Sequence, residues 1–453
     1  MKSNLIYAWL LFGTLCSCSV YRKYECPATL QTDVFCQETL TDTIDIASLS
    51  WKDFFSDTCL QVLIGQGLQN NTDLKIAYLR IEEAQAALQA SKLAFVPSLS
   101  LTADGTLRSF VRAKTTKSYS AGLSSDWEID ISGKKTNQLR SDRVEVFRAD
   151  ANRQAVHSQL IASIADSYFS LLMLDKQLEI SERTLVSWNK TIRILKALKK
   201  AGKTDEAAIN QADANMLEVE GNIVSLKKQI KNGENALVSL LGCAPRPIMR
   251  GDLSQQVFTS ELHKGIPLQL LRNRPDVRQY EYDLEQAFYA TNIAHAAFYP
   301  NITLSGTAGW TNNNGIAIVN PGGMLFNAVA SLAQPLFNRG ANIANLKISK
   351  AQQEEALLLF QQKLLDAAIE VNDALTGWQS AHEQADIDRK RVAALQKAVN
   401  NTRLTMQYGN TTYLEVLTAE QALLQAELNE VADQYSEFQH IITLYYALGG
   451  GIE

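Results

Sequence analysis

Two long heptad repeats constrain the second half of the chain more than any other feature. A tight turn predicted at residues 408–412 divides the stretch from Gly340 to Gly449 into two helices, and no proline follows Pro335. The seam positions of the two helices are Leu357, Leu364, Val371, Trp378, Ala385, Val392, Val399 and Met406, then Leu417, Leu424, Val431, Phe438 and Tyr445. Such a seam predicts a coiled coil. The first helix would extend about 100 Å, which is longer than a compact domain of this size is wide.

The same pattern occurs earlier in the chain, so the protein contains an internal duplication. Gly202 and Gly133 lie 207 residues before Gly409 and Gly340, and residues 94–101 match residues 297–304 at an offset of 203. The predicted divisions are a first repeat at 71–242, a linker at 243–267, a second repeat at 268–449 and a tail at 450–453. The predicted long helices cover about 133–200 and 204–242, then about 340–408 and 411–448.

Each repeat also carries two segments in which apolar and polar residues alternate. The predicted strands are about 97–111, 116–131, 300–312 and 325–337. A shorter helix precedes the first pair, from an N-cap at residues 71–73 to Leu93. The two clusters at residues 312–315 and 320–323, rich in asparagine and glycine, predict the hairpin loop of the second pair.

Two interpretations compete for these strands. A soluble antiparallel sheet with one apolar face has the same alternation. The alternative is a membrane barrel, apolar toward lipid and polar toward a lumen. Four strands cannot close a barrel, and open edges are not tolerated in lipid. A barrel therefore requires the chain to assemble with copies of itself.

The N-terminus predicts secretion. Residue Lys2 and an apolar run at residues 5–15 are typical of a signal peptide, here residues 1–17. Cys18, preceded by Ser17, resembles the acylated cysteine of a bacterial lipoprotein, whereas Cys16 directly follows Leu15 and fits less well. An ordinary signal peptide with an incidental cysteine is the alternative. Acylation, for example with palmitate, would hold the chain to a membrane. Residues 18–70 are polar and predict an extended periplasmic segment packed outside the helices.

Composition excludes some classes of function. The net charge of −5 gives no support for a nucleic-acid partner. The cysteines and histidines lack metal-ligand spacing, so the sequence predicts neither a metal site nor a cofactor, and it shows no nucleophile or phosphate motif of an enzyme. The sequence leaves two alternatives for Cys26 and Cys36: they form a disulfide with each other, or both are free thiols.

Several motifs, in order along the duplicated frame, resemble one known family. They are Trp127-Glu128-Ile129-Asp130, Arg274-Pro275-Asp276-Val277, Ala297-Phe298-Tyr299-Pro300-Asn301-Ile302, Gln334-Pro335-Leu336-Phe337-Asn338, Tyr413-Leu414-Glu415-Val416-Leu417 and Ala447-Leu448-Gly449-Gly450-Gly451. The whole mature chain resembles the TolC-like outer-membrane efflux proteins, specifically the lipoprotein branch called NodT-like or OprM-like.

The resemblance implies a mixed α and β membrane protein that acts as a homotrimer. Each subunit would give four strands to a 12-stranded transmembrane β-barrel, which continues into a periplasmic α-helical coiled-coil tunnel. The implied partners are outer-membrane lipid, a periplasmic adaptor and an inner-membrane pump of the RND type. The implied function is a passive exit duct for small molecules, without catalysis.

The resemblance also assigns candidate residues. The adaptor-contact tips would be Gly202, Lys203 and Thr204 of the first repeat and Gly409, Asn410 and Thr411 of the second. At the periplasmic gate, Leu414 matches the leucine that relatives carry. Thr418 stands where relatives carry aspartate, so the ring of carboxylates that this aspartate would form in a trimer is in doubt. Glu415, the third gate candidate, lies about 100° around the helix from Leu414, so a solvated surface charge is the simpler interpretation.

The acidic residues of the second strand form a further candidate site. Asp126, Glu128 and Asp130 lie on its polar face and could give a lumen a negative potential. Three other functions stay open: a duct for type I protein secretion, a duct for metal-ion efflux, and a structural coiled-coil lipoprotein without a pore.

Overall fold

The structure is a computed structural model that describes Tyr24, Glu25 and residues 50–109, 111, 115–256, 274–314, 318–407 and 413–451. The predictions for residues 1–17, Cys18, Cys26, Cys36, Gly409, Asn410 and Thr411 lie outside this part of the chain. Within it, no helix combines the length and the apolar character that crossing a membrane requires.

The described chain forms two compact units. The first includes Leu79–Ala151 and Arg278–Gln362 and contains all strands of the described chain: β1 (Ser98–Arg108), β2 (Thr116–Ile129), β3 (Asn301–Asn313) and β4 (Ile318–Ala333). They form one antiparallel sheet in the order β1-β2-β3-β4. The two predicted hairpins are therefore joined side by side through β2 and β3.

The register places apolar side chains in rows across the sheet. Leu101 pairs with Leu123, Leu123 with Ala308, and Ala308 with Phe326, so one row crosses all four strands. Residues that pair directly across neighbouring strands point to the same face of a sheet, so these four residues share one face. The predicted alternation is thus confirmed by the pairing.

The start of β4 corrects one prediction. Residues 320–323 were expected in the hairpin loop and the strand from about 325, but β4 begins at Ile318. Pairing shifts between Thr311 and Asn313 of β3, where the extra residues of β4 form an irregularity that includes Pro321. Proline is tolerated there because it lies in this irregularity, outside the residues that pair with β3.

The long helices agree with the duplicated pattern. They are α4 (Lys134–Lys200) and α5 (Glu206–Leu240) in the first repeat, and α7 (Ala341–Gln407) and α8 (Tyr413–Ala447) in the second. The predicted seam positions of α7 and α8 are buried or half-buried, Leu364 almost completely. Ile164 and Leu171, which lie 207 residues before the seam positions Val371 and Trp378, are also almost completely buried in α4. The predicted coiled-coil helices are confirmed, and they end within a few residues of the predicted positions.

One shorter helix precedes the strands of each repeat, and the two helices lie at equivalent positions. These are α3 (Thr72–Leu93) and α6 (Pro275–Ala296). The predicted N-cap of α3 is confirmed, because Oδ1 of Asn71 accepts a hydrogen bond from the backbone N–H of Leu74 at 3.0 Å.

The extended conformation expected for residues 18–70 is wrong for its described C-terminal part. That part forms α1 (Trp51–Phe54) and α2 (Thr58–Asn70), and Asp57 caps α2 through the N–H groups of Cys59 and Leu60. Leu60 and Ile64 are fully buried in the core of the second unit. The four-residue spacing of these two residues gives α2 an apolar face, which the polar composition of the longer segment obscured.

Candidate functional site

The apolar face of the sheet is exposed in the single chain. Leu99, Leu101 and Leu107 of β1 are 72–78% exposed, and Phe326 and Leu332 of β4 are similarly open. Within the described chain, each edge of the sheet also lacks a neighbouring strand. An exposed apolar face is unfavourable in water, and open sheet edges are unfavourable in lipid. The face therefore needs apolar surroundings, and the edges need neighbouring strands.

The three acidic residues of the polar face meet different partners. Oδ1 of Asp126 accepts a hydrogen bond from Ser305 Oγ at 2.6 Å, across the β2–β3 pairing. An oxygen of Glu128 lies 3.5 Å from Lys135 Nζ. Asp130 accepts from the backbone N–H groups of Lys135 and Thr136, so it also caps the first turn of α4. Asp130 therefore fixes the junction of strand and helix, a role that the sequence analysis missed.

The first helix tip ends in a Schellman motif. The N–H of Lys203 donates to the carbonyl of Leu198, and the N–H of Gly202 donates to that of Lys199, each at 3.0 Å. Gly202 has a φ of 70°, a left-handed conformation that glycine adopts without steric cost. Gly202 and Lys203 are exposed and Thr204 is half-buried, so the predicted tip presents backbone and a cation at its surface.

The gate candidates lie on one helix. Leu414, Glu415 and Thr418 are all exposed near the start of α8, whereas Val416 and Leu417 between them are buried. Leu414 and Thr418 are four residues apart and share a face. The other face of α8 packs against the rest of the second unit.

A polar network between three helices escaped the sequence analysis. Glu420 of α8 is only 5% exposed. Its Oε1 accepts hydrogen bonds from Arg403 of α7 at 2.6 and 2.9 Å and from Thr191 of α4 at 3.2 Å. Arg403 also contacts Ser187 Oγ of α4. The available signal was a glutamate between the seam positions Leu417 and Leu424, where a charge must find a partner.

A second buried network surrounds the arginine of the Arg-Pro-Asp motif. Arg274 is 1% exposed, and its guanidinium binds Asp276, Glu370 at 2.6 Å and the carbonyl of Ala447 at 2.8 Å. Burial by itself raises the pKa of Asp276, but hydrogen bonds and charge from Arg274 and Lys363 outweigh it and hold that pKa below its ordinary value. The motif thus joins the start of α6 to α7 and α8.

A pair of carboxyl groups also connects α7 and α8. Burial, together with a hydrogen bond and the charge of Asp388, raises the pKa of Asp433 to about 6. Asp388 is 3% exposed. The pKa of Glu430 is likewise raised, first by burial, with further contributions from Glu427 and Asp388 against the opposing charge of Arg389. The contact with Asp388 therefore favours a proton on Asp433.

A groove of the second unit between α4, α7 and α8 is acidic and has a volume of about 680 Å3. Its titratable lining residues are Asp166, Asp366, Glu370, Asp373 and His440. Asp166 accepts hydrogen bonds from Tyr435 and Gln439, and Glu370 accepts from Arg274. Across the described residues, no three His, Cys, Asp or Glu side chains converge in a way that could hold a metal ion.

Comparisons with known proteins agree with this architecture. A family model described as outer membrane efflux protein matches residues 63–243 and 266–450. The cation efflux system protein CusC of Escherichia coli strain K12 is 29% identical, over 96% of this chain and 97% of its own. The probable outer membrane lipoprotein SilC of Salmonella typhimurium is 28% identical, over 98% and 97%.

Among solved structures, the open state of the MtrE outer membrane channel of Neisseria gonorrhoeae superimposes with a TM-score of 0.86. It is 26% identical, and the match covers 96% of this chain and 99% of that one. The similarity therefore spans both repeats and the sheet.

Proposed function

Because this chain belongs to the outer membrane efflux protein family, we propose that three copies close their four-stranded sheets into a 12-stranded barrel in the outer membrane and continue it as a helical tunnel. The exposed apolar face of the sheet and its two open edges carry this proposal. In a closed trimer β1 of one subunit pairs with β4 of the next, and the apolar face meets lipid. The trimer thus removes both the exposure of the apolar face to water and the unpaired edges of the isolated sheet.

The tunnel is a passive exit duct in a tripartite efflux system. An inner-membrane pump of the RND type supplies the energy, and a periplasmic adaptor contacts the helix tips around Gly202 and Gly409. We expect no catalysis. Leu414 and Thr418 line the periplasmic gate, and their exposure on one face of α8 supports this assignment. The acidic residues Asp126 and Glu128 line the lumen near the junction, and Asp130 caps α4 there.

Cys18 carries the lipid anchor, in keeping with the lipoprotein description of SilC. A Cys18→Ser variant should lose incorporation of labelled palmitate and migrate as the unprocessed precursor. Cys16→Ser is the matched control and should be labelled like the wild type. Equal labelling of the two variants would contradict the assignment.

The decisive measurement is made on detergent-solubilised full-length protein. Mass photometry should give a trimer, and the same preparation should form ion-conducting pores in planar lipid bilayers. A structural lipoprotein without a pore would give no conductance, and a monomer would contradict the shared barrel. Leu101→Pro removes a backbone N–H group from the middle of β1, where Leu101 pairs with Leu123. This variant should abolish conductance, because proline is not tolerated inside a paired strand.

Cation efflux is a second candidate for the exported solute, because the chain matches CusC over nearly its full length. A strain from which the gene for this chain is deleted should be compared with the same strain carrying the complete efflux system. Both are tested for tolerance of transition-metal ions and, in parallel, of organic dyes. Protection against metal ions alone would assign the duct to cation efflux. Protection against dyes alone would assign it to organic small molecules, and secretion of a protein substrate instead would favour the type I alternative.

A further inference from the structure

The helices that adjoin the two edge strands carry polar side chains without partners in the single chain. α3 leads into β1 and α7 follows β4, and these two strands are the edges of the sheet. Arg80 and Glu83 of α3 and Gln352 and Glu355 of α7 are exposed. None of these four side chains forms a hydrogen bond or an ion pair with any residue that the structure describes. They are therefore available to a partner.

The equivalent helices of the inner strands already form a polar contact inside one chain. α4 follows β2 and α6 leads into β3, and these two strands pair with each other. Gln286 Nε2 of α6 donates a hydrogen bond to Glu145 Oε2 of α4 at 2.7 Å. Arg148 Nε of α4 lies 3.7 Å from Asp283 Oδ1 of α6. Two polar pairs thus join the helices that adjoin a pair of neighbouring strands.

The offsets between the repeats transfer this internal contact to α3 and α7. α3 and α6 end 203 residues apart, at Leu93 and Ala296, and α4 and α7 begin 207 residues apart, at Lys134 and Ala341. The residues that correspond under these offsets are Asp283 and Arg80, Gln286 and Glu83, Glu145 and Gln352, and Arg148 and Glu355. The four exposed polar residues therefore occupy the positions that form the internal contact.

The members of each pair are exchanged between the two sets of helices. Inside the chain, α4 provides the cation Arg148 and α6 provides the anion Asp283. At the equivalent positions, α7 carries the anion Glu355 and α3 carries the cation Arg80. The carboxylate and the amide of the second pair are exchanged in the same way. A contact between α3 and α7 would again join a cation to an anion and an amide to a carboxylate.

Exposed apolar side chains accompany the polar residues on both helices. On α7, Ile348 and Leu358 are 54% and 57% exposed, and they lie on the same face as Gln352 and Glu355, at intervals of three or four residues. On α3, Leu79 is 55% exposed and directly precedes the cation. Exposed apolar surface bordered by polar residues is typical of a protein–protein contact. The two helices thus match each other in both charge and polarity.

We propose that α3 of one subunit packs against α7 of the next, with Arg80 paired to Glu355 and Glu83 paired to Gln352. This inference rests on the proposed function, because closure of the barrel pairs β1 with β4 of the neighbouring subunit and brings the adjoining helices together. The partner of this surface is therefore a second copy of the chain. The contact between subunits repeats the internal contact with its charges exchanged.

The exchange also determines which helix each surface accepts. If α3 took the place of α6 against α4, Arg80 would face Arg148, and Glu83 would face Glu145. Like charges across an interface are unfavourable and suppress the wrong partner. The internal contact and the contact between subunits therefore cannot replace each other, although the repeats share one backbone.

The first test joins the proposed neighbours with a short bifunctional thiol reagent. The full-length protein used carries serine in place of Cys26, Cys36, Cys59 and Cys243. Arg80→Cys/Glu355→Cys should then give covalent dimers and trimers on a denaturing gel. Arg148→Cys/Asp283→Cys is the matched control, because the equivalent positions lie within one chain. It should lose its free thiols without joining chains, which also shows that the reagent spans the distance.

The second test concerns the charges and uses mass photometry of solubilised protein after mild heating. Arg80→Glu places a like charge opposite Glu355 and should raise the fraction of dissociated subunits at least about tenfold. Arg80→Glu/Glu355→Arg restores opposite charges and should return that fraction to within about twofold of the wild type. Lys228→Glu makes the same change in net charge at an exposed position of α5 and should leave the fraction unchanged.

Two results would overturn the proposal. One is the absence of covalent dimers from Arg80→Cys/Glu355→Cys while the internal control pair reacts. The other is a charge exchange that fails to restore the trimer, and lipid as the occupant of this surface would give both results. The proposed function would still stand if the wild type were a conducting trimer. A monomeric wild type would overturn the proposed function and this contact together.

Discussion

The two repeats attach the start of one helix to the end of another with different chemistry. In the first repeat, Nδ2 of Asn71 donates a hydrogen bond to the carbonyl of Leu240 at 2.9 Å. In the second, Arg274 donates to the carbonyl of Ala447 at 2.8 Å. These positions correspond under the offsets of 203 and 207 residues that relate the repeats. The same contact is thus made by a neutral amide in one repeat and by a buried cation in the other.

The difference extends along the helices. Asp388 and Asp433 of the second repeat correspond to Ser181 and Leu226 of the first, at an offset of 207. At these two positions the first repeat therefore carries no charge. A duplicated backbone therefore supports two charge distributions. Buried charge makes the second repeat depend on its partners, because a buried ion that loses its counter-ion is strongly destabilising.

Removing the buried cation should give the largest effect. Arg274→Ala leaves Asp276 and Glu370 without their main partner, and we expect a loss of about 3–5 kcal/mol in the free energy of unfolding. Chemical denaturation of the solubilised protein measures it. Arg389→Ala is the control, since Arg389 forms an exposed pair with Asp386 and should cost at most about 1 kcal/mol. Similar losses for the two variants would contradict the role of Arg274.

Removing the amide should cost less. Asn71→Ala deletes the hydrogen bond to Leu240 and the cap of α3 but leaves no ion unpaired, so we expect a loss of about 1–3 kcal/mol by the same denaturation assay. A loss as large as that of Arg274→Ala would break the comparison between the repeats. It would mean that the shared backbone contact, and not the buried charge, dominates both attachments.

One pH dependence should come from the Asp433 carboxyl group of the second repeat. The pKa of Asp433 is raised to about 6 in the folded chain, against about 3.9 for an exposed aspartate. The folded state therefore binds this proton more tightly. The contribution of Asp433 to stability should be fully present below about pH 3.9 and be lost as the pH rises through about 6. The melting temperature of Asp433→Asn, compared with wild type from about pH 5 to pH 8, should show a relative gain at the upper end. A Leu226→Met control in the first repeat should give a difference that does not depend on pH.

The smallest expected effect concerns the first helix tip. A Cβ at Gly202 would meet no atom within 4 Å, so Gly202→Ala should cost only the left-handed backbone, about 1–2 kcal/mol. Gly221→Ala in the middle of α5 meets equally open space without a positive φ and should stabilise by up to about 1 kcal/mol. Melting temperatures that shift in opposite directions would confirm the distinction. A shift in the same direction for both variants would contradict it.

The order of the elements was available in the sequence. A heptad seam is a local pattern that can be read directly from the sequence. Ile164, Leu171 and Leu364 are accordingly buried where the pattern predicts. The alternation of β1 and β2 is equally local. The helix α2 was missed because its apolar face of Leu60 and Ile64 is short and lies in a polar segment.

Tertiary structure decided which charges are buried and what neutralises them. Arg274 meets Glu370 across 96 residues, and Thr191 meets Glu420 across 229, and such pairings have no periodicity to detect. The early start of β4 has the same origin, since pairing with β3 extends the strand through Pro321. Periodicity fixes which side of an element is apolar, whereas the partner of a buried charge depends on how distant segments pack. The sequence by itself thus determined the duplicated frame of helices and strands, and packing determined the separate chemistry of its two halves.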